Sequence, residues 1–257
     1  MHSVRSLRTL AESAAGLRAI HSGDLGALER ALAAASESAG IEDRGRFLAA
    51  YRMYVRRLRE EVASGSLGAE DWIEQLQTDL AHQYLRALRS WTEGELGTTP
   101  APWRMVFAAQ RQRLMSGGGS LRASICAHIG YDMPIALARV GPGMRQQLDA
   151  REAAFERYGE HFAVAAPAIA RAALAGDELR FDRPLAGGEG VRAWLTSLWR
   201  GAWLNGLRLA ESDQPDDRMP IFADIERAAL RELAALVQQE RSGVRGWMRR
   251  AFAHRAA

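Results

Sequence analysis

Apolar residues recur at three- and four-residue spacing along nearly the whole chain, while alternating apolar and polar runs between turn clusters are almost absent. That periodicity commits the chain to helices, because the apolar stripe of a 3.6-residue helix must be buried against another element. With 257 residues, 47% of them apolar, the chain can bury a sizeable core. A single core serves up to roughly 250–300 residues. The expected fold is therefore all-α: one irregular helical bundle over 1–257, with a flexible N-terminus over 1–20 and a basic tail over 241–257.

Several stretches carry clear helical faces. Ser22 or Asp24 can cap a short Ala/Leu helix that ends at Gly40. Phe47, Tyr51, Val55, Leu58 and Val62 then form one stripe, with Arg52, Arg56, Arg57 and Arg59 on a solvated face. Trp72, Ile73, Leu76, Leu80, Tyr84 and Trp91 fall within half of the next wheel. Pro100 and Pro102 mark a loop, and a helix from about Trp103 runs to Ser116-Gly-Gly-Gly-Ser120, read as a flexible turn whose Ser120 caps the following helix. A glycine run can also cradle an anion, but the rest of a nucleotide fingerprint is missing.

The next helix is expected over about 121–140 with an interruption near Pro134, and a long one extends towards Ala175. The longest break, 176–190, is the only plausible domain boundary. Beyond it, Trp194, Leu195, Leu198, Trp199, Trp203, Leu204 and Leu207 surround a helix with apolar groups, which predicts a buried, tryptophan-rich central helix and argues against a second domain. A final helix begins near Met219.

Composition then excludes chemistry. The chain has no lysine, so all 34 basic side chains are arginine, as in proteins of GC-rich bacteria, and a Schiff base, a phosphate-loop lysine or a lysine base is impossible. A net charge of +3 implies no polyanion partner, so no nucleic acid is expected. The lone Cys126 rules out an intramolecular disulfide and a cysteine zinc cluster, and it fits a reducing cytoplasm. No signal peptide or membrane-spanning run is present in the sequence, so the expected location is cytoplasmic. The C-terminal mixture of Trp247, Met248 and Phe252 with arginines is read as a docked helix with exposed charges, membrane-surface contact being the alternative.

The most informative stretch is Ala127-His128-Ile129-Gly130-Tyr131-Asp132-Met133-Pro134. At about 100° per residue, His128 and Asp132 share a face with Leu121, Ile125, Ile129 and Ala136, so an imidazole and a carboxylate point at the core together. Buried ionisable groups are costly unless paired or hydrogen-bonded. Three readings follow. The pair can ligate one metal; Asp132 can orient His128 as a general base with Tyr131 as acid; or Asp132 caps the segment from Met133 with His128 hydrogen-bonded to it, a structural pair. The remaining histidines form no second spaced cluster, so no metal and no other cofactor are expected. Cys126 reads as an inert core residue.

Arginine beside tryptophan can recognise an anionic group. Arg104 follows Trp103, and Arg192 and Arg200 share the tryptophan-rich helix with Asn205. The expected function is thus an intracellular enzyme acting on a small molecule in a polar pocket between the His128 and tryptophan-rich helices. His128 and Asp132 would do acid–base work with Tyr131, while Arg104, Trp103, Tyr84, Trp203 and Asn205 line the ligand site. A metal-dependent hydrolase, or a non-catalytic ligand- or partner-binding protein, is the alternative.

At these residues the chain resembles an all-helical bacterial family catalogued as a domain of unknown function. The likeness rests on Tyr84-Leu-Arg-Ala-Leu, on Trp103-Arg104 and above all on Ala127-His128-Ile129 with Asp132, over about the central half of the chain. The resemblance implies an all-helical fold and carries no activity. A fainter similarity is to helical zinc phospholipases C and single-strand nucleases, which also place a histidine and an aspartate four apart on a helix.

Overall fold

The computed structural model describes residues 24–39, 43–141, 147–174, 188–212 and 214–253, and all regular structure among them is helical. The expected flexible N-terminus, the Gly40 helix end, most of the 176–190 break and the side chains of the basic C-terminal tail lie outside the described residues. The helices are α1 (Leu25–Ala39), α2 (Asp43–Ser64), α3 (Glu70–Thr92), α4 (Ala101–Arg111) and α5 (Gly117–Ala127), then a π-helical turn (His128–Asp132) that leads into α6 (Met133–Val140). They are followed by α7 (Leu148–Ala173), α8 (Gly188–Glu211) and α9 (Pro215–Ala253). No described helix is long and apolar enough to cross a membrane.

Local chemistry explains the starts. Asp24 caps α1, its carboxylate accepting the Ala27 amide at 2.8 Å. Pro100 and Pro102 flank the start of α4 rather than occupying a long loop, because a first-turn proline gives up only an N–H that has no helical partner. Ser116, not Ser120, caps α5 by accepting the Gly119 amide at 3.0 Å, so the three glycines form the first turn of the helix instead of a flexible linker. Pro134 does not break the helix: it sits in the first turn of α6, and the interruption expected near it takes the form of a preceding turn widened to π geometry. Met219 likewise lies inside α9, which already starts at Pro215.

The apolar faces meet in one cluster that draws on every helix from α1 to α9, with Leu28, Leu48, Leu58, Ile73, Trp103, Ala136, Phe155, Trp203 and Leu233 among its members. α1 packs along α2, α2 also meets α7, α6 lies against α3 and α8, and α9 covers α4 and α5. A small second cluster joins Tyr131 and Leu209 to Ile225 and Ala229 of α9. The predicted stripes are buried, except that Trp91 and Val62 are half-buried at the outer ends of theirs.

The tryptophan-rich α8 buries Leu195, Trp199 and Trp203. Phe155 stacks on both tryptophans with ring centroids at 4.9 and 5.1 Å, and Phe162 stacks on Trp199 at 5.7 Å. Stacked pairs of this kind contribute roughly 0.5–1.5 kcal/mol each beyond the area they bury. Glycine makes the approach possible, since a Cβ on Gly159 would lie 2.5 Å from Trp199 Nε1. The opposite side of α8, with Arg192, Thr196, Arg200 and Leu204, is exposed.

Candidate functional site

His128 and Asp132 bracket the π-helical turn and are 6% and 1% exposed, so the core placement read from their spacing holds. His128 Nδ1 lies 3.2 Å from Asp132 Oδ2, and the same oxygen accepts Trp103 Nε1–H at 2.9 Å. With that carboxylate beside it, Nδ1 is the nitrogen that carries the proton, which leaves Nε2 as the lone-pair nitrogen. Asp132 does not cap α6: its backbone is helical and its side chain accepts no amide of the following turn. Burial pushes the Asp132 carboxyl above the usual aspartate range, and the bond from His128, its charge when protonated and the bond from Trp103 pull partly back.

Three other helices hold this pair in place. Tyr84 on α3 packs its ring 4.8 Å from Trp103 and 6.0 Å from His128. Gln83, one residue earlier, donates to the Asp132 carbonyl at 3.2 Å and to Asp79 Oδ2 at 2.9 Å. That carbonyl lies in the widened turn, where regular α bonding is interrupted. On α2, Phe47 and Tyr51 turn edge-on to the imidazole at 5.5 and 4.7 Å. Gln77 fixes the ring of Tyr51 by donating to its hydroxyl, while Gln77 Oε1 accepts from Tyr158 of α7. Burial holds the hydroxyls of Tyr51, Tyr54, Tyr84 and Tyr158 above the ordinary phenol range, so all four are neutral donors at physiological pH.

A cavity of about 50 Å³ opens against this cluster. Phe47, Tyr51, Tyr54, His128, Tyr158 and Trp199 are among its lining residues, and the half-buried Ile125, Phe162 and Ala166 lie on its outer side. Apart from three tyrosines, His128 is the one ionisable side chain in the lining, which holds no carboxylate and no arginine. One lining polar atom, His128 Nε2, lacks any partner, whereas the Tyr54 hydroxyl interacts with that of Tyr158. The cavity is therefore apolar and lies among α2, α3, α5, α7 and the π-helical turn, with Met133 of α6 and Trp199 of α8 also in its lining; it is not itself the polar pocket expected between the His128 and tryptophan-rich helices.

The structure brings together four of the eight residues singled out from sequence: His128, Asp132, Trp103 and Tyr84. The other four point elsewhere. Tyr131 packs on Phe222 of α9 at 5.7 Å and does not line the cavity. Arg104 is exposed and donates to the Leu96 carbonyl at 2.9 Å. Asn205 accepts from Arg208 on the surface at 3.3 Å, and Trp203 packs edge-on to Trp72 at 6.3 Å. Gln77, Gln83, Tyr51 and Phe47 complete the cluster without having been singled out as site residues. Tyr51 and Phe47 were visible as members of an apolar stripe, and the only signal for the two glutamines was their place on the buried side of α3.

Two further sequence ideas resolve here. The glycine run at the start of α5 does receive an anion, but it is Glu240 of α9, whose Oε2 accepts from the Ser116 amide at 3.1 Å and the Ser116 hydroxyl at 2.8 Å. Cys126 is buried, and burial pushes its thiol up to about 12, which makes it inert as a nucleophile. Among the described residues no three metal-binding side chains gather. His161 pairs instead with Glu61 at 3.5 Å, and His2, His21 and His254 lie outside the described residues.

A family model described as a family of unknown function, DUF5995, matches residues 25–239. The chain belongs to this family. The match is wider than the central half on which the motif resemblance rests, and it takes in every helix of the bundle from α1 into α9. No curated protein and no solved structure matches the chain, so the fainter likeness to zinc phospholipases C and nucleases gains no support.

Proposed function

We propose that this DUF5995 protein is an enzyme of the cytoplasm that acts on a small uncharged molecule, with His128 Nε2 as general base. One observation carries the reading: the buried imidazole has Nδ1 held by a carboxylate, while Nε2, on a cavity-lining residue, has no partner. In such a dyad the carboxylate fixes the tautomer and steadies the imidazolium that forms when Nε2 takes a proton. The proton leaves a substrate O–H, N–H or acidified C–H, rests on Nε2, and returns to the product or to water. The π-helical turn beneath the dyad adds support, since such turns concentrate at functional sites.

The cavity bounds the substrate. A void of about 150 Å³ accommodates benzene, whereas this one measures about 50 Å³ and admits an end group of only a few heavy atoms. With no charged partner in the lining, that end is neutral. Metal-assisted hydrolysis has less behind it, because the dyad offers two donors and no third joins them among the described residues.

The test uses protein labelled with 15N-histidine and a panel of small alcohols, amides, ketones and esters. A compound that shifts the His128 Nε2 resonance should be converted by the wild type, and conversion should fall by about 10²–10⁴-fold in His128→Gln and Asp132→Asn while binding persists. Binding without conversion by the wild type would make the protein a binder, and equal turnover by wild type and His128→Gln would take the base role away from His128. If no compound moves the resonance and His128→Gln is at least as stable as the wild type, the dyad is a packing feature.

A further inference from the structure

Outside the His128 cluster, unspent chemistry gathers on the outer face of the α7–α8 hairpin. The two helices run antiparallel, since Phe162 and Phe155 of α7 both meet Trp199, and Phe155 also meets Trp203. A groove of about 660 Å³ follows their seam. Its α7 wall carries Glu152, Glu156 and Glu160, and its α8 wall carries Arg192 and Arg200. All five are exposed, and none makes an ion pair or hydrogen bond with a described residue. Between these charges lie Val164 and Leu204, 65% and 55% exposed. Large aliphatic side chains so open to water are few in this protein, and two of them flank one groove.

We propose that a second copy of the chain docks on this face, α7 of each protomer lying over α8 of the other. Symmetry makes the charges match. A two-fold axis along the seam carries the acidic helix of one protomer over the basic helix of its partner, antiparallel to it, and leaves each level along the seam unchanged. Trp199 lies against Phe155, Gly159 and Phe162, so Arg200 of one protomer falls opposite the stretch of its partner that carries Glu156 and Glu160, with Glu156 in reach, and the symmetry-related pair forms at the same time. Leu204 and Val164 are carried into the contact. Four helices packed this way make an antiparallel bundle.

The area is adequate. α7 has 26 residues and α8 has 24. At about 1.5 Å rise per residue and 10 Å width per helix, the hairpin presents roughly 700 Å², close to the roughly 800 Å² per partner of a standard interface. The acidic and basic rows also argue for a copy of this chain over a partner of uniform charge, which would repel one of the two walls.

The experiment is sedimentation velocity with light scattering on the full chain across roughly 1–100 µM. The expected species has twice the 28.3 kDa mass of one chain and dissociates as salt rises. Arg200→Glu should weaken the dimer by about tenfold or more, Glu156→Arg should do the same, and the double variant should restore it to within a few-fold, because the swapped charges still meet across the axis. Leu204→Glu should also give monomer, with circular dichroism unchanged since the residue is exposed. A chain that stays monomeric throughout overturns the proposal, as does a dimer indifferent to Arg200→Glu and Leu204→Glu.

Discussion

Replacing Trp103 with phenylalanine tests the polar cluster at its most exposed point of logic. The indole is fully buried, wedged between Tyr84 and Phe107 at 4.8 and 5.3 Å, and its only hydrogen-bonding atom donates to Asp132. Phenylalanine keeps a ring in that slot but deletes the donor. Loss of a bond to a buried carboxylate costs about 1.5–3 kcal/mol, and the void left by the smaller ring adds about 1 kcal/mol. The expected total is about 2.5–4 kcal/mol, or roughly 5–16 °C in Tm for a chain of this size.

The pH dependence separates the bond from the void. The folded Asp132 carboxyl titrates above its unfolded value, so between the two values the folded form holds a proton that the unfolded form lacks. Stability therefore declines as pH rises through that window. The Trp103 bond is one of the influences that favour the carboxylate, so removing it pushes the folded value higher and steepens the decline. Urea unfolding should show a larger cost for Trp103→Phe at about pH 7 than on the acid side, where the folded carboxyl takes up its proton. In an Asp132→Asn background the cost should shrink towards the void contribution. An equal cost at both pH values, together with full additivity in the double variant, would show that the indole acts by volume alone.

Three shorter predictions concern the frame around the site. Gly159→Ala should cost about 1–3 kcal/mol in thermal unfolding, because its Cβ would sit 2.5 Å from Trp199 Nε1; Gly130→Ala, whose Cβ meets only Leu198 at 3.8 Å, should be neutral or mildly stabilising. Glu240→Ala should cost about 1–2 kcal/mol and speed amide exchange at Ser116, since it removes the carboxylate that accepts both Ser116 bonds. Cys126 should resist a thiol reagent at about pH 8 in the native protein and react on unfolding, its thiol being buried and pushed up to about 12.

The same rule that made His128 and Asp132 legible explains the residues that went astray. Positions four apart on a helix share a face, so the pair pointed inward together; positions one apart differ by about 100°, so a neighbour of a buried residue is turned away from it. Trp103 points into the core, and Arg104 is thereby sent to the surface to meet the Leu96 carbonyl. Asp132 faces His128, and Tyr131 is thereby sent towards α9. Adjacency in sequence was read as adjacency in space at these two places, and helix geometry forbids it.

Other features have no local signal at all. Trp103 reaches Asp132 across 29 positions and Gln77 reaches Tyr158 across 81, contacts that depend on how three or more helices settle against one another. The π-helical turn likewise answers to its surroundings: Gln83 from α3 takes up the Asp132 carbonyl, and the widened turn is what lets the helix run on into Pro134 instead of breaking there. The cavity is the extreme case, because it is set by the sizes of side chains on six helices and the π-helical turn at once and belongs to none of them. That is also why the void bears on function. Close packing normally fills such a space, and here it is left beside His128, whose Nε2 the fold gives no partner.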